Sequence, residues 1–205
     1  KQFKLFWTYL AEKEHYKILF DHSDKEKQEL KIRDFTKKLL GRIVFLHFLQ
    51  KKEWMGCKAG TNEWLDGDKR FMQNFYQSFS DKDHFYSQSL SKLFFEVLNK
   101  KRDGDIFNIA GLEGKLNDTK VPYLNGGLFD TDEDISKKID FPQEYFENLF
   151  NFFGEYNFTI DENSINDAEV SIDPEMLGTI FENLLAEIDP DTAKSARKAT
   201  GSFYT

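Results

Sequence analysis

Hydrophobic residues recur at spacings of three and four along most of this chain, which is typical of helices that pack one face against a core. The widest apolar face covers 34–53 and predicts one helix there. Shorter faces predict helices over 3–20 and 71–79, and a further helix that begins at Ser89. Pro142 fits the first turn of another helix, which carries several aromatic residues.

The segments between these helices are charged, polar or rich in glycine. The run of charges over 21–31 predicts a turn, and the segments 58–68 and 103–120 predict loops. Asn125 and the two glycines that follow it predict a tight turn, because these residues tolerate a positive φ.

The last quarter of the chain adds a β element and one more helix. The stretches 157–160 and 170–172 are prone to β-structure and predict a small hairpin. Asp173 is a good N-cap for a helix that Pro190 ends. The pattern therefore predicts a mainly α fold over 1–196, a multi-helix domain with a small β-hairpin.

The final nine residues, 197–205, are small, polar and basic, and then aromatic. They are poor helix formers, and we expect them to be an extended linker into a further domain that this chain lacks. The chain is thus predicted to be a piece of a longer polypeptide. Within the helical domain, the loop 103–120 is the candidate for a sub-boundary.

The composition is that of a folded protein, with 40% hydrophobic and 31% charged residues. The 22 phenylalanines predict an aromatic core, because phenylalanine buries a large area without a polar atom. A net charge of -8 gives no support to nucleic-acid binding through bulk charge. The single cysteine, Cys57, excludes an internal disulfide and agrees with a cytoplasmic location. No apolar run approaches the ~20 residues of a membrane helix, so no membrane partner is predicted.

The usual phosphate-binding loops, Gly-x-Gly-x-x-Gly and Gly-x-x-x-x-Gly-Lys-Ser/Thr, do not occur in the chain. The four histidines never have the spacing of paired metal ligands, so no metal site is predicted. His47 lies beside an apolar helix face, which favours a structural role.

Metal-dependent nucleases use an Asp, followed later in the chain by an acid-x-Lys triplet, to hold Mg²⁺ and position water. Two acid-x-Lys triplets in this chain match that motif. One is Glu29 to Lys31, downstream of Asp21, and the other is Glu113 to Lys115, downstream of Asp105. Neither lies on a recognisable strand, so solvated surface charge is the favoured interpretation. No catalytic residue is assigned in this chain.

Two groups of basic residues are candidates for contact with phosphate. Lys194, Arg197 and Lys198 lead into the tail, where serine, threonine and glycine suit phosphate contact by an extended backbone. For the second group an ordinary solvated helix face is favoured. It comprises Lys37, Lys38, Arg42, Lys51 and Lys52.

Six segments, in a fixed order along the chain, resemble one family. They are LLGRIVFLHFLQKK (39–52), LFFEVLN (93–99), PYLNGGLF (122–129), YNFT with DEN (156–159 and 161–163), IDPEMLGTIFENLL (172–185) and RKATGSFYT (197–205). Together they resemble the helical region just upstream of the methyltransferase domain in large adenine-specific DNA methyltransferases. These enzymes belong to bacterial restriction–modification systems and include fused restriction–methylation polypeptides.

The resemblance implies a parent protein that transfers a methyl group from S-adenosylmethionine to adenine N6 in DNA. A parent with a nuclease domain would also cleave DNA, with Mg²⁺. In such proteins the Gly-Ser-Phe-Tyr-Thr segment opens the cofactor-binding domain. The resemblance therefore implies that 197–205 is a linker into a missing methyltransferase domain, and that Tyr204 and Thr205 are residues on the cofactor side.

This chain lacks two sequence motifs that are found in the family. The glycine-rich cofactor loop and the Asn/Asp-Pro-Pro-Tyr/Phe motif that holds the flipped adenine do not occur. The resemblance therefore implies a non-catalytic helical connector that binds no cofactor itself. Its expected partners are the DNA backbone, held weakly, and the methyltransferase and restriction domains of the same polypeptide or complex.

Two alternatives stay open. One is a magnesium-dependent nuclease segment of a restriction subunit, built on either acid-x-Lys triplet. The other is a self-standing helical protein-interaction domain, which the acidic and aromatic composition would suit.

Overall fold

The computed structural model of the protein describes residues 2–20, 24–64, 66–124, 128–129 and 132–155. The predicted hairpin, the predicted helix that starts at Asp173 and the linker 197–205 lie outside these residues.

The described part of the chain is mainly helical, as the hydrophobic pattern predicts. Two stretches have π-helical hydrogen bonding, π1 (Phe85–Leu90) and π2 (Leu93–Leu98). The α-helices, in chain order, are α1 (Gln2–Glu12), α2 (Glu14–Lys17), α3 (Lys25–Lys51), α4 (Phe71–Ser78), α5 (Glu133–Ser136) and α6 (Gln143–Glu155). Among the described residues, β-type pairing is confined to isolated bridges, such as that between Cys57 and Lys120.

The prediction of one continuous helix over 3–20 is wrong. The helix breaks at Lys13, which takes an extended conformation with φ −85° and ψ 109°. Beyond the break, α2 and the 3₁₀ turn Ile18–Phe20 follow, and Tyr16 places its ring 5.8 Å from that of Tyr9 on α1. The pattern misses this break because the apolar positions on its two sides keep a helical spacing.

The prediction of a turn over 21–31 is wrong from Lys25 onward, where α3 begins. The side chain of Asp24 accepts a hydrogen bond from the backbone N–H of Glu26 at 2.9 Å and caps the helix. The lysine, glutamate and glutamine residues of this stretch have a high helix propensity. No hydrophobic period signals the helix here, because its first fully buried residue is Ile32.

The other helix and loop predictions that fall on described residues hold in outline, whereas the turn predicted at 125–127 lies outside the described residues. α4 occupies the predicted segment 71–79, and α6 starts directly after Pro142. The described residues of 58–68 are irregular, and so is the segment 103–120 apart from a short 3₁₀ turn at Asp103–Asp105.

The helix predicted from Ser89 begins four residues earlier, at Phe85, and includes π1 and π2. It ends at Leu98, just before the basic run 100–102. There Arg102 donates from Nε to the carbonyl oxygen of Val97 at 2.9 Å, so that a cation satisfies a terminal carbonyl at the negative end of the helix.

The core is aromatic, as the phenylalanine content predicts. α3 packs against α1 and α4, and α6 packs against the same two helices. Phe146 of α6 lies among them, with its ring centre 5.2 Å from that of Phe85. Its further ring contacts are with Phe6, Tyr86, Phe141 and Phe150. This cluster joins α1, π1 and α6 into one packed unit.

The hydroxyl of Tyr86 is a buried polar group that links π1 to α5. It donates to Ser136 Oγ at 2.9 Å, and both side chains are buried. We expect Tyr86→Phe to lower the free energy of unfolding by about 1 kcal/mol, because the buried Ser136 hydroxyl loses its donor. Urea denaturation measures this change.

Tyr145→Phe is the matched control for Tyr86→Phe, because the Tyr145 side chain is half-buried and its hydroxyl makes no hydrogen bond among the described residues. It should change the free energy of unfolding by less than about 0.5 kcal/mol. Equal losses in the two variants would contradict a stabilising role for the hydrogen bond to Ser136.

Candidate functional site

The predicted cofactor-side and tail residues are not among those the structure describes. Tyr204 and Thr205 lie outside the described ranges, and so do Lys194, Arg197 and Lys198. Their assignments to cofactor and to DNA phosphate stay predictions.

The two acid-x-Lys triplets do not assemble a metal site in the part of the chain that the structure describes. Glu29 and Lys31 are two residues apart on α3, so their side chains point to different sides of the helix. Glu113 lies in a loop, where its backbone N–H donates to the carbonyl of Ser78 at 2.7 Å. Nowhere in the described ranges do three His, Cys, Asp or Glu residues come together in a way that could hold a metal ion.

The five basic residues predicted along the 34–53 helix do not share one surface. Lys37 lies 3.9 Å from a carboxylate oxygen of Asp34 on its own helix. Lys38 Nζ lies 3.2 Å from Asp132, which directly precedes α5. Lys51, at the far end of α3, lines a separate cavity.

Arg42 was expected to lie off the apolar face of its helix, and this prediction is wrong, because its side chain is fully buried. The place of Arg42 in the sequence already indicates that its side chain is buried. Arg42 follows Leu39 by three residues and precedes Leu46 by four, so it belongs to the same helical stripe as these two core leucines.

The Arg42 guanidinium is the centre of a polar junction inside the aromatic core. Its Nε donates to the carbonyl oxygen of Leu128 at 2.6 Å, and its Nη2 lies 3.5 Å from Asp132 Oδ2. The guanidinium carbon lies 5.0 Å from the ring centre of Phe95 and 5.7 Å from that of Phe94. Hydrogen bonds, an ion pair and two cation–π contacts thus compensate the burial of this charge.

Three of the six family-like segments meet at this junction. Arg42 belongs to the segment 39–52, the two rings to 93–99, and the Leu128 carbonyl to 122–129. The last two segments also contact each other directly, because the Leu124 N–H donates to the Leu98 carbonyl at 2.7 Å. We call this arrangement the Arg42 junction.

A second buried polar contact joins α3 to α4 and approaches α6. The side chain of Gln50 accepts from the backbone N–H of Met72 at 2.8 Å, and its amide nitrogen lies 2.9 Å from His47 Nδ1. The His47 ring packs against the rings of Phe150 and Phe153. His47 is therefore a buried structural residue as predicted, although its Nε2 makes no hydrogen bond among the described residues.

The buried position of His47 keeps its imidazole neutral. Burial lowers the pKa of His47 from about 6.5 to about 3, and the charge of Lys51 adds a smaller effect in the same direction. Since the amide of Gln50 donates to Nδ1, the proton of the neutral ring is assigned to Nε2.

This lowered pKa predicts a loss of stability in acid. Between about pH 6.5 and pH 3 the unfolded chain binds a proton at His47 and the folded chain does not, so stability falls as the pH falls. We expect this one group to remove about 2 kcal/mol between pH 7.5 and pH 5. Urea denaturation of the wild type and of His47→Leu at both pH values measures the difference. Parallel pH profiles of the two proteins would contradict this prediction.

Two cavities lie beside α4. One, of about 470 Å³, is lined by Asp68 and Lys115 among other residues. The other, of about 500 Å³, lies where α3 and α6 end and α4 begins, and three cations line it. These cations are Lys51, Lys69 and Arg70.

Comparisons with known proteins return no relative for this chain. No protein-family model matches it, no curated protein matches it, and no solved structure matches it. None of the helices within the described ranges has the length and apolarity needed to cross a bilayer.

Proposed function

We propose that this chain is the helical connector of an adenine-specific DNA methyltransferase from a bacterial restriction–modification system. It contributes no catalytic group and no cofactor pocket of its own. It fixes the orientation of the methyltransferase domain relative to the DNA. Where the parent enzyme has a restriction domain, it fixes the orientation relative to that domain as well. The parent acts in the cytoplasm and uses S-adenosylmethionine.

The Arg42 junction is the observation that supports this proposal. The segments 39–52, 93–99 and 122–129 resemble the same family, and each supplies one side of a single buried contact. A buried guanidinium is stable only where all of its partners are in place. A shared structural requirement of this kind accounts for a resemblance in three segments that are far apart in the sequence.

A rigid connector suits the chemistry that the family performs. A methyltransferase must flip the target adenine out of the duplex, and the duplex has to stay in place during this step. The aromatic core that joins α1, α3, α4 and α6 supplies the rigidity. From α6 the chain continues into the predicted hairpin, the predicted last helix and the tail with Tyr204 and Thr205, which would bring it to the cofactor side of the next domain.

The complete reading frame of the gene gives the first test. Downstream of the codon for Thr205 we expect a glycine-rich cofactor loop and an Asn/Asp-Pro-Pro-Tyr/Phe motif. The whole encoded polypeptide should transfer tritiated methyl groups from S-adenosylmethionine to adenine in duplex DNA.

The 205-residue chain provides the matched control, and it should neither transfer methyl groups nor bind S-adenosylmethionine in calorimetric titration. Tight binding of the cofactor by this chain would contradict the proposal. A whole gene product without the two motifs would do so as well.

A further inference from the structure

The cavity at the junction of α3, α4 and α6 has a marked excess of positive charge. Lys51 comes from the last turn of α3, while Lys69 and Arg70 directly precede α4. The other lining side chains that the structure describes are amides and aromatic rings, with no carboxylate among them. They include Gln50, Gln73, Asn151, Phe150 and Phe153.

The fold builds this cavity from separate parts of the chain. The hydrogen bond from the Met72 N–H to Gln50 holds the start of α4 against the end of α3. Because Lys51 follows Gln50 and Arg70 precedes Met72 by two residues, the contact brings both cations to one cavity. Phe150 packs on His47 and adds the wall from α6.

The described part of the chain neutralises the charges in this cavity only partly. Lys69 Nζ lies 2.8 Å from a carboxylate oxygen of Glu53. Among the described residues, Lys51 and Arg70 have no such ion pair, and both side chains are exposed. In a chain with a net charge of -8, two uncompensated cations that line one concave site indicate an anionic ligand.

One polar atom in the cavity wall also lacks a partner. The side chain of Gln73 donates a long hydrogen bond of 3.5 Å to the Phe150 carbonyl. Its Oε1 is buried and makes no hydrogen bond among the described residues. Because Oε1 only accepts and a phosphodiester has no hydrogen-bond donor, a water molecule beside the bound phosphate would have to supply this hydrogen bond.

We propose that this cavity binds a phosphate group of the DNA backbone, with Lys51 and Arg70 as its two cationic contacts. Arginine offers a planar fork of donors that matches phosphate oxygens, and lysine adds a compact point charge. The proposal deepens the function proposed above and rests on it, because it names the surface through which the connector holds the duplex.

The test compares two double variants that change the net charge equally. Lys51→Ala/Arg70→Ala removes the two cavity cations. Lys25→Ala/Lys27→Ala removes two exposed lysines at the other end of α3, about 39 Å away along the helix axis. Fluorescence anisotropy of a labelled duplex of 20 base pairs, titrated between 50 and 200 mM salt, gives the affinity and its salt dependence for each protein.

We expect the cavity variant to bind about tenfold more weakly than the wild type at the lowest salt. Its slope of log K against log salt should be smaller by about 1 to 2, which corresponds to one or two lost phosphate contacts. The control variant should stay within about twofold of the wild type. Equal losses in the two variants, or no loss in either, would overturn the cavity as the binding site.

A chemical footprint separates DNA from an occupant that belongs to the chain itself. Acetylation of Lys51, followed by mass spectrometry, should be fast in the free protein and slow with duplex present, while Lys25 should react equally in both. Slow acetylation of Lys51 without DNA, unchanged on its addition, would overturn the proposal, because another part of the chain would fill the cavity. The methyl-transfer assay of the whole polypeptide decides the connector function separately from either result.

Discussion

Replacement of Arg42 with leucine is expected to lower the free energy of unfolding by about 3 kcal/mol. The substitution leaves the Leu128 carbonyl without the donor that now lies 2.6 Å away, and it removes one cationic partner of Asp132. The cation–π contacts with Phe94 and Phe95 disappear as well. Urea denaturation of the variant and the wild type, with the slope of the transition held to a common value, measures this loss.

Arg42→Lys separates the charge from the geometry of the guanidinium. Lysine keeps the positive charge near Asp132 but offers no planar donor at the Nε position, so the bond to Leu128 should still be weakened. We expect a loss of about 1–2 kcal/mol, between the wild type and Arg42→Leu. A fully stable Arg42→Leu protein would show that the junction does not stabilise the fold. The same result would remove the main support for the proposed connector.

Helices with a clear apolar period could be predicted from the sequence, and the charged start of α3 could not. The segments 71–79 and the helix after Pro142 carry regular core positions, and the structure confirms both. The start of α3 at Lys25 depends on a capping aspartate and on helix propensity, and neither produces a hydrophobic period in the sequence. The break at Lys13 is a tertiary effect, because it serves the return of α2 onto α1.

Of the candidate sites, only single members could be predicted from the sequence. A structural role for His47 could be predicted from its place beside an apolar helix face, and in the structure its ring is buried next to Gln50. The burial of Arg42 could have been predicted from its place in the apolar stripe, but its partners at Leu128 and Phe95 could not. The basic cavity depends on a contact between Gln50 and the start of α4, and no local pattern encodes such a contact.

Replacement of Phe146 with alanine is expected to have the largest effect on stability, a loss of about 4 kcal/mol. The side chain is 1% exposed and lies among five other aromatic rings. The loss combines the transfer of the ring to water with the cavity it leaves, since rings from three elements cannot all move to fill the space. Urea denaturation at neutral pH measures the change.

Phe152→Ala is the matched control, because it removes the same side chain from the same helix at a position that is 39% exposed. Its ring centre lies 5.6 Å from that of Phe153 and much of its surface faces solvent, so we expect a loss of about 1 kcal/mol or less. The difference between the two variants isolates the packing of α6 against α1 and π1 from the helix propensity that alanine adds equally in both. Equal losses would mean that the aromatic cluster does not hold these elements together, and a rigid connector would then lack its physical basis.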